Sequence, residues 1–158
     1  MLTRWRAAVA LLAWAQCSDA VDIVATGGSW SKVFGASDLL GGAGTDIIMP
    51  YETASGVITL DIINTGGSAW TVRVRRTDTN WRAADFTLSV LRSGTGGGTG
   101  SLSGDGATYQ AITTSDIAFF RGTGDKTTVP LQFRLQGVSV KVPVDSYATT
   151  VTYTVLTP

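Results

Sequence analysis

Across Ile58–Ile62 and again across Trp70–Val74 apolar side chains fall on every second position, first Ile58, Leu60 and Ile62, then Trp70, Val72 and Val74. A repeat of two belongs to a strand with one buried face, and no long stretch of this chain carries apolar residues at helical spacing. Val, Ile and Thr dominate the strand-like runs and 19 glycines in 158 residues punctuate them. The pattern predicts an all-β domain, an antiparallel β-sandwich of immunoglobulin-like or jelly-roll-like type, with short helical turns only.

Two hairpins are expected. In the first, Val57–Asn64 and Ala69–Arg76 flank the turn sequence Thr65-Gly66-Gly67-Ser68. Pairing Ile62 with Trp70, Leu60 with Val72 and Ile58 with Val74 sends all six inward in one register and sets Asp61 near Arg73 and Arg75. In the second, Val129, Leu131, Phe133 and Leu135 alternate with polar positions up to Gln136-Gly137, and Val138, Val140 and Val142 alternate after it. Gly137 would supply the positive φ of a tight turn, and Pro130, which has no N–H to donate, places its strand at a sheet edge. Further strands are expected at Val21–Thr26, Phe86–Arg92, Tyr109–Thr113 and Tyr147–Leu156, and helical turns at Ser37–Leu40 and Ser115–Phe120. Ser93–Gly106, composed mainly of Gly, Ser and Thr, reads as a flexible loop.

The chain opens with Arg4 and Arg6 followed by the apolar run Ala7–Ala15, the charged and apolar regions of a secretory signal. Ala13-Trp14-Ala15 and Ser18-Asp19-Ala20 both offer small-x-small cleavage sites, and the second leaves a mature chain starting where strand-like alternation begins, so residues 1–20 are expected to be a signal peptide and residues 21–158 a single domain, secreted or displayed at the cell surface. The run is too short to span a bilayer, and no membrane anchor is expected in the mature chain. The one cysteine, Cys17, would leave with the signal, so the mature domain relies on its core rather than on disulfides.

Chemistry is sparsely provided for. The chain has no histidine, which removes the commonest general base and zinc ligand. Glu52 is the only glutamate, and the aspartates stand singly in turn-like contexts, so no two-carboxylate pair suggests itself. Asp78-Thr79-Asn80 begins like a calcium loop but lacks its later ligands, and the glycine run matches no phosphate-binding pattern. We therefore expect no enzyme, no metal and no cofactor. Once Arg4, Arg6 and Asp19 are gone, ten basic and eleven acidic residues remain, a balance that does not suit nucleic acid.

Two segments have binding character. Trp81, Arg76 and Arg82 lie in the arginine- and tryptophan-rich stretch from Trp70 to Arg82, where such side chains stack on sugars, and Trp81 is the expected solvent-facing aromatic. Val21, Ile23 and Ala25 form one face of a short strand that ends at Gly27-Gly28. That strand serves either as the domain's own first strand or as a donor to the sheet edge of a second copy. The run Val142-Pro143-Val144-Asp145-Ser146-Tyr147-Ala148-Thr149-Thr150-Val151-Thr152-Tyr153-Thr154-Val155 resembles the terminal strand of secreted fimbrial and spore-coat-U-like β-sandwich subunits, over about a tenth of the chain. The cysteine pair usual in those families has no counterpart in residues 21–158. The resemblance implies a surface or filament subunit that associates with itself. A glycan-binding or adhesive module is the other expectation.

Overall fold

The computed structural model describes residues 20–158, so the segment expected to be an export signal, apart from Ala20, and Cys17 lie outside the described residues. Ten strands follow in chain order: β1 (Asp22–Thr26), β2 (Tyr51–Glu52), β3 (Ile58–Ile63), β4 (Ala69–Asn80), β5 (Thr87–Arg92), β6 (Ser101–Leu102), β7 (Gln110–Ala111), β8 (Ile117–Thr123), β9 (Lys126–Gln136) and β10 (Ala148–Leu156). One sheet has the order β1-β3-β9-β5-β7, with β2 also on β9, and the other has the order β10-β4-β8-β6. All named pairs are antiparallel. The expected all-β sandwich is the observed architecture.

Its core lies between the sheets. Leu60 and Ile62 of β3, Leu88 and Val90 of β5, and Val129, Leu131 and Phe133 of β9 face Trp70, Val72 and Val74 of β4 and Phe120 of β8, all essentially buried. Each strand therefore turns inward the face that its alternation selects.

The pairing of the first hairpin is different from the expected one. β3 and β4 belong to different sheets, and their apolar faces meet across the core instead of lying side by side. The connection explains why. Asn64, Gly66 and Gly67 take φ of 59°, 57° and 80°, and the Asp125 carboxylate accepts both the Thr65 N–H (3.0 Å) and the Thr65 hydroxyl (2.6 Å). The chain is thereby tied to the β8–β9 turn and carried over to the second sheet. Asp61 consequently accepts the Thr128 N–H, and Arg73 pairs with Asp116 at 2.6 Å.

The second hairpin does not form. β9 already has β3 and β2 on one edge and β5 on the other, which leaves no edge for Val138–Val142. Gly137 does take a positive φ, 86°, but the position where a Cβ would stand is 1.8 Å from the Asp85 carbonyl oxygen, so glycine is required by close approach. Pro130 sits in a central strand rather than at an edge. Its carbonyl accepts the Ser93 N–H, just past the end of β5, so its missing N–H faces a side where the regular ladder has already stopped.

Two local expectations also change. The turn at Ser37–Leu40 appears as a short 3-10 segment, Ala36–Asp38, but residues 117–120 are strand, because β8 is drawn between β4 and β6. Ser93–Gly106 is an ordered excursion. Ser93 N–H bonds to Pro130, Gly97 exchanges bonds with Thr127, and Gly100 N–H reaches Asp125, so the segment runs on beside β9 before crossing to β6.

Candidate functional site

β1 is held on one side only. Its register on β3 runs from Asp22 opposite Ile63 to Thr26 opposite Thr59, and its other side has no strand neighbour. Val21 and Ile23 pack against the core, Ala25 on the same face is exposed, and Val24 on the opposite face is 46% exposed. The chain leaves through Gly27 and Gly28, with φ of 116° and 69°. A Cβ on Gly27 would stand 2.3 Å from the Val57 carbonyl oxygen, so this joint admits no other residue without a shift. Val21, Ile23 and Ala25 thus belong to an edge strand of their own domain.

The neighbouring border is formed by β10. It pairs with β4 from Ala148 opposite Asn80 to Leu156 opposite Thr71, contacts β1 from the other sheet, and has no hydrogen-bonded strand on its outer side. Val151, Tyr153 and Val155 pack toward the core, opposite the threonine row Thr150, Thr152 and Thr154. The Tyr153 hydroxyl is buried without a hydrogen-bond partner among the described residues, and burial pushes its ionisation well above the usual phenol range. An unpartnered buried hydroxyl costs free energy, so Tyr153→Phe is expected to raise unfolding stability by about 1 kcal/mol in urea titration. A loss of similar size would mean that the hydroxyl has a partner.

Where the sheets part beneath this border, an apolar groove of about 1220 Å³ opens. Leu88, Phe133 and Leu135 form one wall and Trp81 and Val151 the other, and the loops carrying Trp30 and Tyr147 close its sides. Among the described residues, five of the seven exposed large apolar side chains, Val33, Leu40, Ile48, Val140 and Val144, stand on or beside those loops. The loops are tied together at Asp46, whose carboxylate accepts the Ile47 N–H (2.9 Å), the Val140 N–H (3.1 Å) and the Ser139 hydroxyl (3.2 Å). These bonds hold Asp46 below the ordinary carboxylate range. Lys32 does the same for Asp38 at 2.6 Å, together with the Gly35 N–H.

The three expected ligand-contact residues do not form an open site. Arg76 is 8% exposed; its Nε donates to the Ile112 carbonyl (2.9 Å), it pairs with Asp78, and its guanidinium lies over the Trp81 ring at 5.6 Å. It points inward because it continues the alternation of Val72 and Val74. Trp81 is half-buried rather than solvent-facing, with Phe86 edge-on at 5.3 Å. Arg82 is exposed but engaged with Asp85 at 2.5 Å. Neither Arg75 nor Asp61 makes the cross-strand pair expected of them. Sequence reasoning missed the groove, whose signal was the apolar content of the loops at Val33, Val140 and Val144.

No group of three or more potential metal ligands gathers among the described residues, and no helix among them is long and apolar enough to cross a membrane. No family model, curated protein or solved structure matches the chain.

Proposed function

We propose that the chain is a secreted structural or cell-surface protein whose copies associate by exchanging β1. The observation that carries this reading is the combination at one border: a five-residue edge strand, bonded to β3 alone, on a two-glycine joint. Strand exchange makes in a neighbour the same hydrogen bonds and contacts that the strand makes at home, so its equilibrium depends on the joint and on concentration. β1 itself packs only Ile23 against the core, beside Val21 just before it, so its release uncovers few core side chains. The export signal of residues 1–20 and the resemblance of the last strand to fimbrial subunits agree with this reading. A glycan-binding or adhesive module draws instead on the groove, where Trp30, Trp81 and Tyr147 offer aromatic faces.

The test uses residues 21–158 and a second chain lacking Val21–Thr26. The longer chain is expected to give fibres in negative stain and a ladder on unboiled gels. The shorter one is expected to stay folded, to form no polymer, and to bind a Val21–Thr26 peptide. A longer chain that is strictly monomeric and binds glycans overturns the reading in favour of the adhesive module, and a shorter chain that unfolds shows β1 to be an obligatory internal strand.

A further inference from the structure

The sandwich is unequally protected at its borders. On one side both edges are two-residue strands, β6 and β7, too short to recruit another chain. On the other side the edge of the second sheet is β10, nine residues long. Between Ala148 and Leu156 it carries no charge and no proline, and its one irregularity falls at the start, between Ala148 and Thr149. Lysines, prolines and mid-strand bulges are what edge strands use to refuse a partner, and β10 has none of them from Thr149 to Leu156. Because alternate residues of an antiparallel strand bond to opposite sides, every second N–H and C=O along it faces outward.

What covers this edge is indicated by its sequence. Val151-Thr152-Tyr153-Thr154-Val155 reads the same in both directions. We propose that β10 pairs antiparallel with β10 of a second copy about a two-fold axis through Tyr153, joining two four-stranded sheets into one. In that register Tyr153 meets Tyr153, Val151 meets Val155 and Thr152 meets Thr154, so apolar positions stay on the core face and hydroxyls on the outer face of both copies. Moving the centre to Thr152 or Thr154 sets tyrosine against valine. Two-fold symmetry requires a surface complementary to itself, and an uncharged palindromic strand satisfies this with no like charges opposed. The contact is separate from exchange of β1, which lies in the other sheet and is bonded to β3.

The test is sedimentation equilibrium of residues 21–158 and of the double variant Thr152→Glu with Thr154→Glu. Within one chain the new carboxylates lie opposite Arg75 and Arg73 of β4, which favours the fold. Across the two-fold axis each meets another carboxylate. The dissociation constant of the dimer is expected to rise about ten-fold or more, with unchanged far-ultraviolet circular dichroism. Mixing this variant one-to-one with Thr152→Lys/Thr154→Lys should restore dimers, now mixed ones, because every opposed pair becomes opposite in charge. A wild-type chain that is monomeric up to near-millimolar concentration overturns the proposal, as does a glutamate variant that associates as tightly as the wild type. If association survives the glutamates and disappears when Val21–Thr26 is removed, it belongs to β1 exchange and the β10 contact is refuted. Should the lysine variant fail to fold, the comparison of wild type with the glutamate variant decides alone.

Discussion

Trp70→Ala is expected to lower unfolding stability by about 4 kcal/mol, a large fraction of what a domain of this size possesses. The indole is 1% exposed, stands edge-on to Phe120 at 5.9 Å, and donates from Nε1 to the Gly124 carbonyl at 2.9 Å. It also fills the space over Gly122, where a Cβ would come within 2.6 Å of the ring. Alanine leaves a cavity between the sheets and an unpaired carbonyl in the β8–β9 turn. Trp70→Phe keeps an aromatic ring and loses mainly the hydrogen bond and part of the volume, so about half the cost is expected. Urea titration measures both, and a loss below about 1 kcal/mol for the alanine variant would show that the indole does not anchor the core between the sheets.

The inward faces of the strands were legible from the sequence, and their partners were not. Alternation is a local property: Leu60, Ile62, Val72 and Val74 must share a buried environment whichever strands are neighbours. Whether Leu60 meets Val72 across a ladder or across the core depends on the connection. There it was decided by three left-handed residues, Asn64, Gly66 and Gly67, and by the distant Asp125. Gln136-Gly137 misled for a related reason. A glycine at positive φ suits a hairpin, but the edge that Val138–Val142 would have needed was already taken by chain far away in sequence.

The candidate site was legible to the same degree. Val21–Thr26 announces a strand ending at a joint, and Val151–Val155 displays its palindrome openly. That both lie at unpaired edges of one border is a matter of strand order, to which residues such as Thr87 and Gln136 contribute by pairing elsewhere. Arg76 is taken up inside the fold for a physical reason. A guanidinium on the inward face of β4 finds the Ile112 carbonyl, Asp78 and an indole within its own domain.

Arg92→Met is expected to cost about 3 kcal/mol and to loosen the glycine-rich segment that composition alone reads as flexible. Arg92 continues the inward alternation of Leu88 and Val90 and is 7% exposed. Its guanidinium donates to the carbonyls of Gly94 (2.9 Å), Ser103 (3.1 Å) and Asp105 (3.2 Å), drawing both ends of the excursion onto one buried cation. Glycine is needed along that path because the chain runs against β9 and the β8–β9 turn: a Cβ at Gly96 would lie 2.3 Å from the Thr127 carbonyl oxygen, and at Gly98 2.5 Å from that of Asp125. The glycines thus permit a close approach that Arg92 then fixes. Methionine keeps most of the volume and removes the three bonds. Arg92→Lys keeps the charge but not the fork, so an intermediate loss follows. Hydrogen exchange separates this from general weakening: the Gly97 and Gly100 amides, bonded to Thr127 and Asp125, should lose protection in Arg92→Met well before amides of β4 do. Equal protection in wild type and variant would mean that the segment is held by its backbone contacts with β9 alone.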